Sequence, residues 1–123
     1  MAVNPTGAAL KAFVSVAPEQ PVVMLNLLRF ADGGAERYER YLAHLKPHVQ
    51  KVGAHIVYYG RGAQPVVAEA GQAWDAVLLV AYPSRLAFSE MVRDPSYQQG
   101  THLRTEALSE AVLQPTVPAE PTR

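Results

Sequence analysis

Two stretches of this chain are apolar at odd and even positions alike: VVMLNLLRF (22–30) and WDAVLLVAYP (74–83). A strand with one wet face alternates apolar and polar residues, so both runs predict strands buried on both sides. Elsewhere the hydrophobic period changes to that of a helix. Leu10, Phe13 and Val14 predict a short helix capped by Thr6 and ended by Pro18 and Pro21. After the turn signal Asp32-Gly33-Gly34, the stripe Tyr38, Leu42, Leu45, Val49, Val52 predicts a helix over 35–52. Pro47 inside it predicts a kink or break, and Gly53 is placed to close it. AHIVYYGRG (54–62) predicts a second strand with a bulge or bend at Gly60 and Gly62, and PVVAEA (65–70) an extension of it. Ser84 predicts the cap of a helix to 93, with Leu86, Phe88, Met91 and Val92 facing inward. Asp94-Pro95 restarts a helix to about 110, and AVLQPT (111–116) is the last strand.

The order β-α-β-β-α-β over a chain of this length predicts an α+β fold, the ferredoxin-like sandwich, with four antiparallel strands and helices on one face. Residues 1–20 are a helical extension, 21–116 the domain, and 117–123 a Pro-rich tail expected to be disordered. Helices on one face leave the other bare and apolar. Covering it with a second sheet is worth about 25 cal/mol for each Å² removed from water, which predicts a homodimer joined through its sheet faces.

Composition narrows the function classes. Eleven basic and eleven acidic residues cancel, without the basic excess of a nucleic-acid binder. The chain has no cysteine, which excludes thiolate catalysis and Cys-based zinc sites. No apolar run approaches the roughly 18 residues of a membrane span, and the N-terminus does not read as a signal peptide, so a cytoplasmic location is expected. There is no phosphate loop, nucleophile elbow or dinucleotide fingerprint.

VVMLNLLRF, YERYLAHLKP, WDAVLLVAYPSRLAFSEMVRDPSYQ and HLRTEAL together resemble an uncharacterised bacterial family, the domain of unknown function numbered thirteen-thirty, over about residues 20–114. The resemblance implies a ferredoxin-like protomer and a dimeric α/β barrel. Its wider superfamily includes cofactor-free monooxygenases, muconolactone isomerases, haem-handling proteins and stress-responsive proteins. It also implies a pocket between helices and sheet. His102 and Arg104 are split by Leu103 here, where the family is associated with an adjacent His-Arg pair.

Asn26, an amide within an aliphatic strand, needs a partner in backbone, side chain or ligand. Parity places it with Val22, Met24, Leu28 and Phe30, places Trp74 with Leu78, Val80 and Tyr82, and places His55, Val57, Tyr59 and Arg61 together. The candidate ligand-binding set is Asn26, Tyr59, Arg61, Trp74 and Tyr82, suited to a planar, oxygen-bearing molecule. The candidate catalytic pair is His102 as general base and Arg104 as oxyanion stabiliser. His44 and His48 have chelating spacing, but no further ligand is marked, so no metal and no cofactor are expected. Two readings stand: a cofactor-free enzyme acting by proton abstraction or oxygen transfer on a small aromatic or enolisable substrate, and a non-catalytic dimeric binding or stress-associated module.

Overall fold

In the computed structural model, which describes residues 3–119, the chain runs α1 (Gly7–Val16), β1 (Val22–Phe30), α2 (Gly34–Lys51), β2 (His55–Arg61), β3 (Ala76–Tyr82), α3 (Arg85–Arg93), α4 (Pro95–Gln98), α5 (Thr101–Ala107) and β4 (Leu108–Thr116). The strands form one sheet in the order β2-β3-β1-β4 with every pair antiparallel. β1 and β2 are thus parallel with β3 between them, the split βαβ arrangement of the ferredoxin-like fold. The tail expected to be disordered lies outside the described residues from 120 onward.

The two central strands bury alternate residues. Val22, Met24, Asn26 and Leu28 of β1 face Tyr82, Val80, Leu78 and Ala76 of β3 across the ladder, and all eight are buried. These residues meet Tyr38, Tyr41, Leu45 and Val49 of α2 and Phe88 and Met91 of α3 in one core. The residues between them, Val23, Leu25, Leu27, Val77, Leu79 and Ala81, point away from the helices and are only half-buried. The strands are therefore apolar on both faces, while the chain's own helices cover one.

Local chemistry sets the helix ends. Thr6 Oγ1 accepts from the Ala9 amide, Ser84 Oγ from Ala87 and Asp94 Oδ1 from Ser96, as N-caps do. Gly53, at φ 80°, closes α2 in the left-handed conformation that glycine adopts without strain. α2 continues unbroken through Pro47. Its flanks are held by core contacts from Leu45 and Val49, which outweigh one missing backbone bond.

Four further expectations need correction. The 65–70 stretch is loop, with Val66 99% and Val67 91% exposed. The register of β2 slips between Ile56 and Tyr58, so His55 lies opposite Ala81 and Tyr59 opposite Leu78. This bulge turns His55 and Tyr59 to opposite faces, against simple alternation. The helix expected from Asp94 to about 110 is two helices separated at Gly100, where a Cβ would fall 2.3 Å from the His44 ring. Finally, β4 begins at Leu108, which pairs with Phe30 across an irregularity.

Candidate functional site

A cavity of about 220 Å³ lies between the sheet and the helices. Its floor is the helix-facing side of β1, β3 and β4: Met24, Asn26, Leu78, Val80 and Leu113. Its walls include Tyr38 and Tyr41 of α2, Phe88 and Met91 of α3, and Tyr97 of α4, with Arg104 of α5 and the Asn4-Pro5 segment completing them. Among the described residues, the lining contains no His, Asp or Glu.

Polar atoms enter this apolar space at a few points. One N–H of Asn26 donates to the Leu78 carbonyl at 3.3 Å. The hydroxyls of Tyr41 and Tyr97 are hydrogen-bonded at 2.7 Å. The Tyr82 hydroxyl lies 3.8 Å from Met91 Sδ. Arg104 is 6% exposed, yet among the described residues no carboxylate pairs with it. Its Nη1 donates to the Val3 carbonyl and, at 3.0 Å, to Asn4 Oδ1. Among the described residues its Nη2 and the Tyr38 hydroxyl are buried with no well-formed hydrogen bond, and contact with the guanidinium lowers the Tyr38 pKa against the effect of burial.

Burial pushes the pKa of Tyr38, Tyr41, Tyr82 and Tyr97 above the ordinary phenol value. At Tyr38 the nearby Arg104 charge opposes that rise without cancelling it. These phenols stay protonated in the fold and serve as donors. The linkage has a definite sign. A phenol whose folded pKa is raised contributes stability that is complete below its unfolded pKa, about 10, and is lost as pH climbs above it. The urea midpoint is therefore expected to hold to about pH 9 and to fall above about pH 10. Tyrosinate absorbance of the buried rings should appear together with loss of the circular dichroism signal. Their full titration in a still-folded chain would contradict this reading.

The structure brings Asn26, Tyr82 and Arg104 of the sequence candidates to the cavity. Tyr59 stands behind the wall, stacked on Tyr38 with ring centroids 6.0 Å apart. Three candidates lie elsewhere. Arg61 is exposed and pairs with Glu39 at 3.7 Å, because it ends an edge strand. Trp74 precedes β3 and lies under the Arg29 guanidinium, 4.4 Å from its ring centre. Arg29 lies on the sheet face turned away from the helices, paired with Glu110. His102 is exposed, two residues from Arg104 and so on the far side of α5. His44 Nε2 lies 2.9 Å from the Tyr97 carbonyl oxygen, so that nitrogen carries the proton and donates. Among the described residues no three His, Asp or Glu converge as a metal site. Sequence reasoning missed Tyr38, Tyr41 and Tyr97 as cavity residues. The available signal was three hydroxyl-tipped rings on otherwise core-facing helical positions.

The model of the domain of unknown function DUF1330 matches residues 28–114. The chain belongs to this family. A protein of unknown function from Rhodopseudomonas palustris has the same fold, with 30% identity over 97% of this chain and 98% of that one and a TM-score of 0.85. Hydroxynitrile lyase from Passiflora edulis is 12% identical over 86% of this chain and 100% of its own, with a TM-score of 0.65. A dimeric ferredoxin-like protein of unknown function from Jannaschia sp. CCS1 is 11% identical over 80% of this chain and 99% of its own, with a TM-score of 0.62. At these lower identities the likeness is one of fold. No curated protein matches the chain. Among the described residues no helix is long and apolar enough to cross a membrane. Asn26 and the segment before it lie outside the family match.

Proposed function

We propose that this protein binds a small, planar, oxygen-bearing organic molecule in the cavity between its helices and its sheet. The observation that carries the reading is an apolar chamber of about 220 Å³ with Asn26, Tyr82 and Arg104 among its lining residues. Its volume is below the roughly 300 Å³ at which drug-sized pockets begin, which favours a single-ring compound or short-chain acid. Mostly apolar walls with a few placed polar atoms are the usual composition of such sites. Asn26 spends one N–H on Leu78 and has a second N–H and an oxygen to orient a ligand.

The test is a thermal-shift and calorimetric screen of small aromatic and enolisable compounds, repeated on Asn26→Ala. Removing the amide is expected to weaken the best ligand by roughly tenfold or more, while the chain stays folded with a modest drop in melting temperature from the lost Leu78 bond. A screen in which nothing binds, or an Asn26→Ala variant that loses stability but keeps full affinity, overturns the reading and leaves a structural amide.

A second reading is catalytic. Proton abstraction by His102 loses support because that side chain is exposed and away from the cavity. The cavity's own chemistry is donor chemistry: protonated phenols and a guanidinium polarising a carbonyl or holding an oxyanion. The Tyr41–Tyr97 bond of 2.7 Å favours this reading because it orders two phenol hydroxyls beside the ligand space. In either case the protein works as a homodimer. The uncovered face of β1 and β3 supports it, and the Jannaschia neighbour is itself described as dimeric.

A further inference from the structure

We propose that the occupant of the cavity carries a carboxylate, seated on Arg104 Nη2 and the Tyr38 hydroxyl, with the Val3-Asn4 segment fixing the guanidinium in position. This rests on the binding reading above and names the ligand class for the same site.

The argument begins with an unbalanced charge. A buried guanidinium is costly unless an anion or a full set of acceptors faces it. Arg104 is buried, and the ion pairs among the described residues (Arg29–Glu110, Arg37–Glu106, His48–Asp94, Lys51–Asp94 and Arg61–Glu39) leave it out. Its Nη1 has two neutral acceptors, Val3 O and Asn4 Oδ1. Its Nη2 has none. The Tyr38 hydroxyl, in the same cavity wall and in contact with the guanidinium, is a second buried donor with no acceptor for its own proton among the described residues. Two such donors, on residues that line one chamber, match a two-oxygen acceptor once a ligand draws them toward it.

The charge count selects among anions. Among the described residues, Arg104 is the only Lys or Arg in the lining. One positive charge neutralises a carboxylate and leaves a phosphate dianion half-compensated in an apolar space. The rest of the ligand would meet Met24, Leu78 and Phe88, which suit an aryl or short alkyl group. Val3 and Asn4 are positioning residues, acting on the ligand through the guanidinium. The segment is itself tied to α5, since Asn4 Nδ2 donates to Thr105 Oγ1 at 3.1 Å.

Benzoate and its uncharged isostere benzamide test this by calorimetry and thermal shift. Benzoate is expected to bind roughly tenfold or more tightly than benzamide. Arg104→Met should abolish that preference. Because this variant also removes the Val3 and Asn4 bonds, Tyr38→Phe is the companion: it keeps the ring and those bonds and deletes one hydroxyl beside the guanidinium, so the fold should stay intact while benzoate weakens roughly tenfold. Equal binding of benzoate and benzamide, or a stable Tyr38→Phe variant with unchanged benzoate affinity, overturns the carboxylate seat. If neutral rings bind and no carboxylate does, the pocket survives and this assignment fails. If neither class binds, both fail together.

Discussion

Gly34→Ala is expected to destabilise the fold by about 3 kcal/mol or more, the range of the most damaging single substitutions. A Cβ at this position would lie 2.0 Å from the Ala107 carbonyl oxygen and 3.2 Å from Phe30 Cβ. The obstacle is backbone, and it cannot swing aside as a side chain would. The Ala107 carbonyl already accepts from the Ala31 amide at 2.8 Å, which pins it at the end of β1. Relief therefore requires the first turn of α2 to lift off α5, carrying Tyr38 away from Arg104. Gly33→Ala is the control. That residue sits at φ 70°, and a Cβ there would meet nothing within 4 Å, so only the left-handed strain of about 1 kcal/mol applies. Urea unfolding of the two variants separates the effects. A Gly34→Ala midpoint equal to that of Gly33→Ala would show that the α2–α5 junction is looser than this contact requires.

Leu25→Asp is expected to convert the proposed dimer to a folded monomer. Leu25 lies at the middle of β1, opposite Leu79 on one side and Gln114 on the other, on the face that the helices leave open. In a face-to-face pair of sheets the substitution would bury two carboxylates, one from each copy, at a cost of several kcal/mol. In a monomer the same carboxylate can reach water, since Leu25 is only half-buried. Light scattering after size exclusion should show the mass halved at micromolar concentration, with the circular dichroism spectrum retained. A wild-type chain that is itself monomeric, or a variant of undiminished mass, would place the sheet face outside any interface.

The fold was legible because β1 and β3 carry their information locally. Runs such as VVMLNLLRF and AVLLVAY are short, apolar on both faces and bounded by Pro, Gly or Asp, which marks them as strands, and Thr6, Ser84 and Asp94 cap helices through contacts two or three residues away. Asn26 stood out for the same reason, as an amide among aliphatic neighbours. What could not be read depends on partners distant in sequence. Tyr41 meets Tyr97, and Gly100 meets His44, only after α2 and α4 have packed together. Arg104 and His102 differ by two positions on one helix, and only the packing of α5 decides which of them faces the cavity. Trp74 looked like a continuation of β3, but the strand begins at Ala76 and Arg29 captures the ring beyond its end.

β1 is the strand through which the sheet holds together, since it pairs with both β3 and β4. A recombinant fragment trimmed to the matched boundaries, 28–114, would retain only Leu28–Phe30 of it. Such a fragment would lack the rungs that bridge the two halves of the ladder, together with the amide at 26. The minimal foldable unit is thus longer than the recognisable signature, and boundaries for expression are better drawn from the hydrogen-bonded ladder than from the span of the sequence match.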